Sequence, residues 1–171
     1  MLSSNMFSRA LRIAAAAVMA VSMVACAKEQ QPDLASLNSK RGGPPATPGS
    51  ARDFAQNVGD IVYFSTDSSD LTPEAQQTLT NQARWLRQYA QYTITIEGHA
   101  DERGTREYNI ALGARRANSV RTFLARNGVS GQRMRTISYG KERPVAVCDD
   151  ISCWSQNRRA QTVLNNRTAA R

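Results

Sequence analysis

The 171-residue chain predicts an α+β fold, a two-layer α/β sandwich in the order β-α-β-α-β-(α)-β. Its four strands form one mixed sheet, with two main helices on one face. Three observations predict it. Two long segments repeat apolar residues every three or four positions, as an amphipathic helix does. Four short segments are apolar or alternate apolar and polar, as strands do. Glycine, proline and asparagine punctuate the joins. Each helix and the sheet has one apolar face to bury, and stacking them in two layers buries all of them.

The elements follow in order. Ile61–Phe64 is a short apolar run and predicts the first strand. Thr72-Pro73-Glu74 supplies an N-cap, a proline at the first helical position and an acid in the first turn. Ala75, Leu79, Ala83, Leu86 and Ala90 then predict an amphipathic helix over Pro73–Ala90, with Trp85 beside the stripe as packing. Tyr92, Ile94 and Ile96 alternate with Thr93, Thr95 and Glu97, which predicts a half-buried strand ended by Gly98. Thr105 caps the second helix. Its predicted core stripe is Ile110, Gly113, Ala114, Ala117, Val120 and Leu124, with Arg121 snorkelling at the edge and Asn127-Gly128 as the stop. Arg135–Tyr139 predicts a third strand closed by Gly140, Trp154–Arg158 a short helical stretch, and Ala160–Leu164 the last strand.

Upstream the composition changes. Arg9 and Arg12 precede the apolar run Ile13–Ala25, and no acidic residue occurs before Glu29. Residues 1–25 therefore read as a secretory signal peptide, the run being short for a membrane span; an uncleaved anchor helix is the alternative. Met23-Val24-Ala25-Cys26 resembles a bacterial lipobox, in which the cysteine becomes the lipidated first residue. Ala27 stands where an aspartate often signals inner-membrane retention, so the resemblance implies the outer membrane. Residues 26–52, polar and containing RGGPPATPGS at Arg41–Ser50, read as a flexible tether, with the folded domain over 53–165 and a tail over 166–171. A coil of this length reaches roughly 25–30 Å.

The chain has 22 Lys and Arg against 14 Asp and Glu. Two of the arginines lie in the leader, which leaves 20 against 14, a balance of +6. That favours an anionic partner; export disfavours nucleic acid and leaves cell wall or anionic lipid. Of three cysteines, lipidation takes Cys26. Cys148 and Cys153, in CDDISC, then read as a disulfide in an oxidising compartment, contributing roughly 2 kcal/mol on the chain-entropy model. A metal half-site is the alternative, with no second ligand pair to complete it.

The densest polar cluster is EGHADERGTREYN, Glu97–Asn109, which holds the single histidine. Two uses are open. His99 with Asp101 two residues on could serve as base and orienting acid of a hydrolase, although no nucleophile motif accompanies them and one histidine makes a poor metal site. Alternatively the loop binds. Asp101 and Glu102 supply acceptors, Arg103 and Arg106 donors, the amides near Thr105–Tyr108 an anion site, and Gly104 a close backbone approach. Such a loop suits a zwitterion. A salt-bridged surface turn is the plain alternative.

GHADERGTREYNIALGARRANSVRTFLARNGV at Gly98–Val129, SYGKERPV at Ser138–Val145 and SQNRRA at Ser155–Ala160 resemble, in order, the OmpA-like peptidoglycan-binding domain family. The likeness covers Asp60–Leu164, and the lipobox and tether resemble the family's lipoprotein members. The CDDISCW insertion, Cys148–Trp154, resembles an alphaproteobacterial branch. The resemblance implies a protein that is not an enzyme, with no catalytic residue, cofactor or metal. It implies an outer-membrane lipid anchor and a periplasmic domain that grips peptidoglycan through the meso-diaminopimelate stem peptide. It further implies TolB and the Tol complex as partners and a role in envelope integrity during division. By the same resemblance Asp101 takes the ligand ammonium and Arg116 the carboxylate, since a guanidinium grips a carboxylate with two parallel bonds. Asn109, Leu112, Arg158 and Asp67 match family contacts, and His99 is assigned to pocket lining or a supporting hydrogen bond. Ser65 and Thr66 depart from the YFDFD pattern, and Arg106 stands where proline is frequent. Turning about 100° per residue, the second helix places Arg116 at the margin of its buried stripe and Arg115 in solvent. A structural lipoprotein without wall affinity, and a hydrolase using His99, are the rival readings.

Overall fold

The computed structural model describes residues 46–165. The predicted signal peptide, Cys26, most of the tether and the tail lie outside the described residues. The described chain opens with α1, Ala51–Asp53, capped by the Ser50 hydroxyl and running into a wider helical turn over Phe54–Val58. The elements then follow the predicted order: β1 Ile61–Tyr63, α2 Pro73–Gln88, β2 Ile94–His99, α3 Arg106–Arg126, β3 Met134–Gly140, α4 Ile151–Asn157 and β4 Arg159–Leu164. The Thr72 and Thr105 hydroxyls cap α2 and α3 by accepting from Ala75 N and Tyr108 N.

The sheet order is β1-β4-β2-β3. β4 runs antiparallel to both neighbours, and β2 and β3 are parallel. The C-terminal ends of β1, β2 and β3 therefore share one end of the sheet, together with the start of β4. Gly49 and Asn165, near the two limits of the described residues, lie at the opposite end. There Gly49 packs on Tyr89, its carbonyl accepts from the Tyr92 hydroxyl at 2.9 Å, and Asn165 N bonds Thr93 O.

The core lies between the helices and one sheet face: Val62, Ile94, Ile96 and Ala160 from the strands against Leu79, Ala83, Leu86, Ala117, Val120 and Leu124. Burying each Leu, Ile or Val contributes about 1.5–3 kcal/mol. Trp85 packs with Phe54, Tyr89 and Tyr92, and its indole N–H donates to Asp53 at 2.8 Å. Gln82 is fully buried but satisfied, donating to Gly59 O at 2.7 Å and accepting from the Thr162 hydroxyl at 2.8 Å.

Three expectations change. The packing of the domain includes Gly49, ahead of the expected start at Asp53. Gly98 lies inside β2 rather than ending it: it faces α3, where a Cβ would collide with the Gly113 carbonyl. The buried stripe of α3 is Asn109, Leu112, Gly113, Arg116, Ala117, Val120 and Leu124, with Ala114 exposed and Ile110 half-buried. Asn109 and Arg116 occupy core positions that a hydrophobic pattern assigns to Ile110 and Ala114.

Candidate functional site

A cleft of about 280 Å³ opens at the C-terminal ends of β1 and β2, lined by Thr66, Asp67, Asp101, Arg103, Gly104, Tyr108, Asn109 and Leu112. Its walls are the β1–α2 loop and the β2–α3 loop, and the first turns of α3 form its base. The two larger grooves lie elsewhere. One, of about 610 Å³, is lined by Thr47–Ala51, Tyr92, Leu164 and Asn165 without a charged side chain. The other, of about 570 Å³, runs along the second half of α3 and carries Asp70 and Arg126.

Asp101 is 7% exposed. Arg103 grips it as a fork, Nη2 to Oδ2 at 2.7 Å and Nε to Oδ1 at 3.2 Å, and Arg158 Nη1 approaches Oδ2 at 3.4 Å. Burial is the largest single influence on this carboxyl and pushes it up. The hydrogen bonds and charge of Arg103, with the bond from Arg158, together outweigh it and hold the group below the usual carboxylate range. Arg158 is buried and also donates to Phe64 O at 3.1 Å. On the facing wall Asp67 adopts φ 56°, a left-handed conformation that aspartate tolerates, and accepts from the Tyr108 hydroxyl. Asn109 holds the second wall, donating to Arg103 O at 2.7 Å.

Arg116 lies under both walls and is 0% exposed. It donates Nε to Ser68 O at 2.8 Å, Nη1 to His99 O at 2.8 Å and Nη2 to Ser65 O at 3.1 Å, with its guanidinium over the Phe64 ring. One side chain thus ties the β1–α2 loop to the end of β2. Burial lowers its pKa to about 10, partly offset by Asp101, so the cation persists at neutral pH. The marginal placement expected from helical phase is corrected to full burial: the loop over residues 65–68 closes on the arginine, its Ser65 and Ser68 carbonyls taking Nη2 and Nε. Arg115 is exposed, as expected.

The structure brings Asp67, Asp101, Asn109 and Leu112 together in the cleft, with Arg116 and Arg158 directly behind them. His99 is not among the lining residues. Ile94, Ile96 and Gly98 face the helices, so alternation along β2 puts His99 on the opposite sheet face. It is 2% exposed beside Tyr139, with Glu97 at 3.9 Å. Neither ring nitrogen has a hydrogen-bond partner among the described residues. Its link to the site is its backbone carbonyl, held by Arg116. Burial, then the charges of Arg159 and Arg143, lower its pKa to about 4. The ring stays neutral near pH 7.

A titration prediction follows. An unfolded histidine binds its proton near pH 6.5, whereas the folded one does so only near pH 4. The contribution of the neutral ring is complete above pH 6.5 and is lost as pH falls from there to about 4. The loss is about 3 kcal/mol. Urea unfolding across this window should show a shallower acid loss for His99→Asn than for the natural chain. An unchanged slope would contradict the assignment.

Several side chains at the site escaped the sequence reading. Tyr108, 44% exposed, stands one turn before Leu112. Lys141 donates to Glu102 O at 3.1 Å and Gly104 O at 2.7 Å, and the Trp154 indole donates to Glu102 Oε1 at 2.9 Å. Cys148 and Cys153 are joined, with Cα atoms 5.7 Å apart. Only an exposed aromatic at helical spacing from Leu112 signalled Tyr108; Lys141 and Trp154 arrive from distant sequence.

The OmpA family's sequence profile matches residues 63–165. Curated proteins named peptidoglycan-associated lipoprotein are similar over most of the chain. The one from Mesorhizobium japonicum is 60% identical over 150 residues, covering 88% of this chain and 89% of its own. The one from Agrobacterium fabrum is 61% identical over 150 residues, covering 87% and 85%. Among solved structures, the peptidoglycan-associated lipoprotein of Burkholderia pseudomallei superposes with a TM-score of 0.64 at 40% identity, covering 68% of this chain and all of that one. The C-terminal domain of Helicobacter pylori MotB, at 21% identity and a TM-score of 0.59 over 64% of this chain and 86% of that one, shares the fold. This chain belongs to the OmpA family, alongside proteins named peptidoglycan-associated lipoprotein.

Proposed function

We propose that the chain is an outer-membrane lipoprotein that holds the cell wall without covalent chemistry. The cleft takes the diaminopimelate end of a peptidoglycan stem peptide. Asp101 receives the ammonium. The positive charge of Arg116 and Arg158 behind it favours the neighbouring carboxylate. Three of the five N–H groups of Arg116 are committed to backbone carbonyls, which leaves two for a ligand that reaches it. Asn109 and Leu112 shape the floor, and Asp67 the opposite wall. The observation that carries this reading is a buried anion and buried guanidinium groups converging on one small cleft, in a chain close to proteins named for association with peptidoglycan.

The anchor is lipid on Cys26. Gly49 lies at the end of the sheet opposite the cleft, which suits a domain held from the membrane side with its cleft turned to the wall. TolB and the Tol complex as partners, and support of envelope integrity at division, complete the proposal on family resemblance. A hydrolase using His99 is disfavoured: its ring is buried, neutral and on the far face of the sheet from the cleft.

Sedimentation with purified sacculi tests the reading. Asp101→Asn removes the charge but keeps the shape, and should weaken binding by about 2–4 kcal/mol, since an ammonium loses its ionic acceptor. His99→Asn should bind as the natural chain does. Equal binding by Asp101→Asn and the natural chain would remove the cleft from the account.

A further inference from the structure

Arg103 is the one guanidinium whose residue lines the cleft, and its side chain is 42% exposed. Its fork covers both oxygens of Asp101. On its other side the guanidinium carbon lies 4.3 Å from the centre of the Trp154 ring, a stacking geometry. The Trp154 indole is in turn fixed by Glu102. Trp154 sits in α4 directly after Cys153, whose bridge to Cys148 closes the first turn of that helix, and Asp150 caps it through Ser152 N at 2.7 Å. Lys141 and Asn109 pin the backbone of the same loop at Glu102, Gly104 and Arg103. Arg103 is therefore clamped between a tryptophan platform and the carboxylate that an incoming ammonium requires.

We propose that Arg103 is a built-in competitor for Asp101: in the free protein it occupies the ammonium position, Trp154 holds it there, and a ligand displaces it only by bringing a carboxylate for the released guanidinium. The inference rests on reading the cleft as an ammonium–carboxylate site. The exchange replaces one charge-assisted pair by two and leaves no ion unpaired. An amine without a carboxylate strands Arg103 beside the cleft with no partner and is rejected. Arg103 is thus a specificity residue and Trp154 a positioning residue. The disulfide-closed insertion is what brings Trp154 to the cleft.

The test measures equilibrium binding of the full chain to three small probes. These are diaminopimelate, 1,5-diaminopentane (the same carbon chain without carboxylates) and heptanedioate (the same chain without amines). The natural chain should prefer diaminopimelate to either. Arg103→Gln should tighten 1,5-diaminopentane by about tenfold or more, the worth of one charge-assisted hydrogen bond, and narrow the preference for diaminopimelate. Trp154→Ala should act in the same direction by a smaller factor. Arg115→Gln removes the same charge from the exposed face nearby and should leave the ratio unchanged. The proposal is overturned if Arg103→Gln fails to gain affinity for the diamine, or if Arg115→Gln gains as much. Failure of the natural chain to bind diaminopimelate is a separate result: it overturns the site reading, while the diamine ratio still reports on Arg103.

Discussion

Replacing Arg116 by alanine should cost the domain at least about 4 kcal/mol, enough to bring it near unfolding. Three buried carbonyls, of Ser65, Ser68 and His99, lose their donor together. Each orphaned group costs about 1–3 kcal/mol, and the emptied volume adds a cavity. Wall binding should vanish with it, because the same side chain braces both walls of the cleft. Arg116→Lys separates the two effects. An ammonium keeps the charge but cannot reach three carbonyls from one plane, so it should fold with partial stability and bind weakly. Arg115→Ala should change stability by no more than about 0.5 kcal/mol. Urea midpoints for the three variants check the order, and equal midpoints for Arg115→Ala and Arg116→Ala would refute it.

The second large effect is expected at Gly98. β2 and α3 meet there backbone to backbone: a Cβ on Gly98 strikes the Gly113 carbonyl, and one on Gly113 meets Gly98 O at 2.8 Å and the Ser138 hydroxyl. Gly98→Ala must push α3 off the sheet, and rigid helix and strand leave no cheap relaxation. Overpacking of this kind costs about 3 kcal/mol or more. Leu112 and Arg116 flank Gly113 in α3, so the cleft should loosen as well. Thermal unfolding checks the first effect and sacculus binding the second. A Gly98→Ala chain with native Tm would mean that the contact is not tight in solution.

Much of the fold was legible because each element carries a local signal. Thr72-Pro73-Glu74 marks a helix start in any context, and the Ile94–Ile96 alternation is that of a half-buried strand. The misreadings have a common cause. Gly98 was read as a stop, although its lack of a side chain serves the approach of Gly113. Asn109 and Arg116 were read off the buried stripe, although polar side chains can be buried when carbonyls from other segments receive them. Those carbonyls belong to residues 65–68 and 99, and their arrival is a tertiary event that helical spacing does not encode. The expected partnership of His99 with Asp101 assumed an unbroken strand. Alternation along β2 keeps the histidine on the sheet face away from the helices, but β2 ends at His99, so Asp101 leaves the strand in a loop that carries it to the cleft. Asp67, Asp101, Asn109 and Leu112 were placed by family resemblance, and the fold assembles them from two loops and a helix. Trp154 was invisible at the site, because its contact depends on how the Cys148–Cys153 insertion folds back.

The central claim is that one cleft binds the zwitterionic end of diaminopimelate. A structure of the chain with diaminopimelate bound tests it most directly. The account predicts the ligand ammonium within hydrogen-bond distance of the Asp101 carboxylate, with Asn109 and Leu112 against it and Arg103 moved off Asp101. A ligand seated instead in the groove of Thr47–Ala51 and Tyr92, or in that of Asp70 and Arg126, with the Arg103–Asp101 pair intact, would contradict it.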